Sequence, residues 1–157
     1  HGQRGLLFSE ADQHFEPMQL TALRYTEYVS VPVVGTRTAD DALTFSIPPA
    51  NVNRYFKFPQ GYDQVSWSLY VQGIQDITYN QELKAYHFKP ENSVLPLTPV
   101  AHFDFVKLLT VPELQCSIAV QKDFHYLVFA VATFPSRTRP HIDPVNVASC
   151  IRVIASV

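Results

Sequence analysis

The sequence predicts an all-β fold, an antiparallel β-sandwich or jelly roll of about eight strands behind an extended N-terminal arm. Three observations carry that expectation. Apolar and polar residues alternate at period two in several separate stretches, the spacing that puts every second side chain on one face of a strand. Nowhere do apolar residues recur convincingly at i, i+3, i+4, i+7, the spacing of an amphipathic helix. Twelve prolines against five glycines mark stiff turns and strand edges blunted against further pairing.

Residues 1–19 carry Gly2, Gly5 and Pro17 around one short apolar cluster, Leu6, Leu7 and Phe8. They read as an extended arm with a helical turn near residues 9–14, and residues 20–157 read as a single sandwich domain. Val29, Val31 and Val33 alternate with Ser30 and Pro32, which predicts an edge strand because proline cannot donate to a ladder. Residues 35–41 read as a polar turn, and residues 42–47 as a short strand closed by Pro48 and Pro49.

The clearest alternation is Val65, Trp67, Leu69 and Val71 against Ser66, Ser68, Tyr70 and Gln72, a half-buried strand with one face on a core. Residues 77–80 and 83–89 follow as short strands or a hairpin, and residues 91–99 as a turn. Ala101, Phe103, Phe105, Leu109 and Val111 resume the pattern, interrupted at Lys107 by a bulge or a strand end. Leu114, Cys116, Ile118 and Val120 form another set. The run 124–134 lacks internal breakers and predicts a central strand covered on both faces. A loop over residues 135–144 and a last strand over residues 145–157 complete the chain.

A chain of 157 residues suffices for one core, burying about 70% of its unfolded surface. Only 17% of residues are charged, below the usual value of about 25%, which points to a subunit or partner interface or to a Ser/Thr/Gln surface. The net charge of −2 and the lack of a basic run exclude an electrostatic footprint for nucleic acid. The longest apolar stretch, residues 126–134, is far short of the roughly 20 residues that span a bilayer. His1 in place of an initiator methionine implies processing, excision from a longer chain or trimming of a purification tag; a removed secretory signal or capsid or polyprotein cleavage would account for it. The expected location is therefore extracellular, secreted or on a virion surface. Cys116 and Cys150 suit one disulfide in such an oxidising setting, closing a loop that contributes roughly 4 kcal/mol in the chain-entropy description. The alternative is two buried free thiols.

Several constellations could carry chemistry. His102 and Asp104 stand two apart on one strand, and His141 and Asp143 repeat the spacing in a loop; residues at i and i+2 point the same way and could share a metal, given a third ligand. Ser136, Arg137, Thr138, Arg139, Pro140 and His141 form a basic loop, where Arg137, Arg139 and His141 could receive a sulfate, phosphate or carboxylate. Residues 53–59 mix aromatics with cations, as a stacking surface does, or as a strand does whose Arg54 and Lys57 snorkel to water. No nucleophile elbow, phosphate-binding loop, His-Glu-x-x-His or calcium-loop pattern occurs.

An N-terminal His1 followed by Gly2 resembles the start of lytic polysaccharide monooxygenases, which are also β-sandwiches. That resemblance implies a copper ion held by the α-amine and imidazole of His1 and by a second histidine, with His102 and His125 as candidates and Tyr126 or Phe103 near the axial position.

The leading expectation is a non-enzymatic module without a cofactor, which presents a sandwich face or its loops to a protein partner or to copies of itself as a homo-oligomer. Low charge, abundant Tyr and Phe, and stiff proline loops suit a preorganised contact surface. The alternatives are a copper-binding oxidoreductase built on His1 and a viral coat or spike domain.

Overall fold

The computed structural model describes residues 21, 24–38, 41–87, 93–135 and 148–156, with His87 and residues 148–156 described by their backbone alone. In chain order these residues form a one-turn helix α1 (Tyr25–Tyr28), strands β1 (Val34–Arg37), β2 (Ala42–Ile47) and β3 (Ala50–Asn51), and a second one-turn helix α2 (Val52–Tyr55). Strands β4 (Gln64–Ile74), β5 (Thr78–Asn80), β6 (Ala85–His87), β7 (Thr98–Val106), β8 (Thr110–Val111), β9 (Leu114–Ala119), β10 (His125–Phe134) and β11 (Ala148–Ser156) follow. Two antiparallel sheets make the body, one ordered β1-β2-β9 and the other β11-β10-β4-β7. Short pairs β3-β8 and β5-β6 complete the pairing among the described residues.

Period-two alternation builds the core between the two sheets. Leu43, Phe45 and Ile47 of β2 face inward opposite Ile118, Cys116 and Leu114 of β9. Val65, Trp67, Leu69 and Val71 of β4 do the same in the larger sheet, beside Val128, Ala130, Ala132 and Phe134 of β10. All of these inward side chains except the β9 residues are buried, and Ile118, Cys116 and Leu114 pack half-buried against the same cluster. The fold is thus the expected antiparallel sandwich, and it is not closed into a barrel.

In this wiring β2 and β4 lie in opposite sheets, β4 and β7 pair within one, and the chain recrosses between β9 and β10. Two polar contacts tie the sandwich together. Trp67, on β4, is 1% exposed, and its indole nitrogen donates to the Tyr25 hydroxyl of α1 at 3.0 Å. Tyr126, the second residue of β10, accepts a hydrogen bond at 2.7 Å from the backbone N–H of Gln121, five residues upstream, which pins the ring at the start of the strand.

Arg37 fastens the same strand start from the other sheet. Its guanidinium donates to the carbonyls of Phe124 at 3.0 Å, Gln121 at 2.9 Å and Lys122 at 3.0 Å. It also lies 3.6 Å from the Asp41 carboxylate and 5.9 Å from the centre of the Tyr126 ring. One planar fork therefore satisfies the carbonyls of the β9–β10 connection, a task suited to five fixed N–H donors.

Several local expectations need correction. The edge strand expected over residues 29–33 is displaced to Val34–Arg37, into the stretch read as a polar turn. Val29 makes one isolated bridge to Phe56, and the Lys57 N–H donates to the Tyr28 carbonyl, so the backbone of this segment is occupied in holding α1 against α2. Residues 53–59 are not a strand at their start: Asn51 caps α2, its side chain accepting from the Asn53 N–H. At Lys107, by contrast, the strand end that the sequence offered beside a bulge is what forms: β7 stops at Val106, turned by a hydrogen bond from the Leu109 N–H to the Val106 carbonyl.

The expected Cys116–Cys150 disulfide is not formed, and Cys116 carries a free thiol. Cys116 sits on β9, which packs beside β7, whereas Cys150 belongs to β11, three strands away across the larger sheet. At about 4.8 Å per strand that offset is about 14 Å, twice the Cα separation a disulfide tolerates, about 7 Å.

Candidate functional site

The strongest polar constellation among the described residues lies on the outer face of β4 and β7. Alternation in β4 turns Val65, Trp67, Leu69 and Val71 to the core and sends Ser66 and Ser68 outward. The β4–β7 register then sets Ser66 opposite Asp104 and Ser68 opposite His102. Four side chains thereby meet on one patch. The Ser68 hydroxyl is 2.8 Å from Nδ1 of His102, and the Ser66 hydroxyl donates to Oδ1 of Asp104. Nε2 of His102 and Oδ2 of Asp104 approach to 3.5 Å, with the two side chains 61% and 71% exposed. Each ring or carboxylate is thus held from behind by a serine, and the remaining polar atoms, Nε2 and Oδ2, lie side by side.

Strand β7 is one of the two outer strands of the larger sheet among the described residues, β11 being the other. Pro99 near its start lacks an N–H, which blunts that end for further pairing. Exposed leucines flank the strand on both sides: Leu97 before it, then Leu108, 86% exposed, and Leu109 after it. Beside Ser66 and Asp104 a cleft of about 350 Å³ is lined by Gln64, Phe105, Val106 and Pro135 as well. A second cleft, of about 450 Å³, lies against β1, β2 and β9, where Thr36, Thr44, Ser46, Gln115 and Ser117 line it and no charged side chain does.

His102 belongs to this site, and His125 does not. His125 stands opposite Ile74 and His102 opposite Ser68, six residues apart along β4. At about 3.3 Å per residue that is about 20 Å, so the two imidazoles cannot enter one coordination sphere, whose bonds are about 2 Å long. His1, Arg137, Arg139 and His141 lie outside the described residues. Among the described residues no group of three or more His, Cys, Asp or Glu side chains gathers as a metal site would. No described helix is long and apolar enough to cross a membrane.

Cys116 offers little nucleophilic chemistry. Burial pushes its thiol above the ordinary value, which withdraws the reactive thiolate at neutral pH.

The sequence singled out His102 and Asp104 by their spacing, but Ser66 and Ser68 were legible only as the wet face of a strand. Their role depends on which strand pairs with β4 and in what register, and alternation within β4 is silent on both. Searches against known protein families, curated proteins and solved structures return no match for this chain.

Proposed function

We propose that the chain is a non-enzymatic sandwich module that docks protein surfaces, copies of itself included, along the edge strand β7. The observation that carries this reading is the flanking of a nine-residue outer strand by exposed leucines at both ends. A free strand edge presents a row of unpaired backbone groups, a template for adding a strand. Large apolar side chains beside that row supply the desolvation that backbone pairing alone lacks. The low charged fraction, 17%, points the same way, since charged residues are depleted at the centres of interfaces.

Sedimentation velocity of the purified chain over rising concentration tests the reading, alongside the Leu108→Lys/Leu109→Lys double variant. The expected result is a mass that climbs with concentration in the parent and stays at one chain in the variant. Identical behaviour of the two proteins at every concentration would refute it.

A further inference from the structure

The His102–Asp104 pair has more structure than a surface ion pair requires. Exposed pairs of this kind contribute little to stability, yet both members here are oriented by dedicated partners on the neighbouring strand. With the ring proton on Nδ1, the Ser68 hydroxyl accepts it at 2.8 Å, and the Nε2 lone pair lies beside the Asp104 carboxylate. The Ser66 hydroxyl occupies Oδ1 of Asp104, leaving Oδ2 beside Nε2. A histidine fixed through its far nitrogen and a carboxylate hydrogen-bonded through its far oxygen are the support that ligands of a metal ion receive.

These two atoms also have the right separation. Two ligands at about 2.0 to 2.1 Å from a tetrahedral zinc ion lie about 3.4 Å from each other; Nε2 and Oδ2 are 3.5 Å apart. Two donors are half of a tetrahedral set. We infer that His102 and Asp104 form a half-site for a divalent transition-metal ion of the zinc class, completed by the same two residues of a second copy of this chain.

The edge position of β7 makes that completion geometrically simple. Two copies of β7 pairing antiparallel about a twofold axis at Phe103 set His102 of each opposite Asp104 of the other. Directly opposed residues have Cβ atoms about 5 Å apart, and all four side chains rise from one face of the joined sheet. The ion then sits on the axis, bound by two imidazole nitrogens and two carboxylate oxygens, the ligand types zinc accepts. Even without the ion the arrangement is self-complementary, each carboxylate meeting an imidazole. The inference rests on the docking role proposed for β7, and adds to it the identity of the partner and the dependence on metal.

The test uses the purified chain stripped with a chelator, then titrated with Zn²⁺ or with Co²⁺ as a spectroscopic probe, while its mass is followed by light scattering. The inference expects doubling of the mass on addition of metal, one metal per two chains, and the intense visible absorption of tetrahedral Co²⁺. His102→Ala and Asp104→Asn each abolish all three responses without loss of folding, because both side chains are largely exposed. Ser68→Ala keeps the ligands and weakens the metal affinity by about tenfold. Doubling without metal that survives His102→Ala would overturn the metal half-site and leave docking standing. A single-chain mass with and without metal, at every concentration, would overturn both. Metal bound to a single chain with no change of mass would overturn the sharing of the site.

Discussion

At the scale of single residues the corner of the sandwich around Tyr126 is tightly constrained. A Cβ on Gly73 would lie 2.8 Å from Cδ1 of Leu95, 2.9 Å from Cε1 of Tyr126 and 3.2 Å from Cδ1 of Phe124. Leu95 can give way, but the Tyr126 ring is pinned at its hydroxyl by the Gln121 N–H. Gly73→Ala should therefore destabilise the fold by about 1–3 kcal/mol, the usual cost of overpacking a core, as urea denaturation would measure. Tyr126→Phe leaves the packing and removes the acceptor of that partly buried N–H, so a loss of about 1–3 kcal/mol is expected. Cys116 gives a pH signature. Its folded-state pKa is raised by burial, so the folded chain holds its proton more tightly than the unfolded one. The contribution to stability is whole below the unfolded thiol's pKa and is lost as pH rises through the folded value. Denaturation midpoints should fall over that alkaline range, and Cys116→Ala should remove that part of the fall. A pH dependence identical in the two proteins would show that the thiol does not differ between folded and unfolded states.

At the scale of elements, the strands that alternate cleanly were legible, and those defined by their neighbours were not. β2, β4, β9 and β10 fall where alternation or a continuous apolar run places them, because burying one or both faces dictates the residue type at each position. β1 carries no such mark. Val34, Gly35, Thr36 and Arg37 pair with Ser46, Phe45, Thr44 and Leu43, and that pairing is set by β2 rather than by the composition of β1. Arg37 reads in sequence as a solvated turn residue, yet it reaches from the smaller sheet to three carbonyls of the β9–β10 connection. Arg37→Ala should cost about 2 kcal/mol, in the range of hydrogen bonds from a charged donor, and should speed amide exchange near Gln121 and Phe124. Arg37→Lys should recover only part of that loss, since one ammonium cannot reproduce the fork.

At the scale of the whole molecule the sandwich was readable, and its wiring was not. Alternation specifies two oily faces, but the order β1-β2-β9 against β11-β10-β4-β7 depends on which faces meet. That missing order explains the disulfide expectation. Cys116 and Cys150 both read as strand residues, and only the topology sets them on strands too far apart to bridge. The same reason hid the Ser66, Ser68, His102 and Asp104 patch, which exists only once β4 and β7 are neighbours in the observed register.

The docking role of β7 is tested most directly by amide hydrogen exchange of the zinc-loaded chain at low and at high concentration. Strands β4 and β10 are already paired on both sides and should exchange slowly and equally in the two samples. Residues 100–106 should gain protection on concentration, as their outer edge acquires a partner. Equal exchange of residues 100–106 at both concentrations, with protection gained on another strand, would contradict the account.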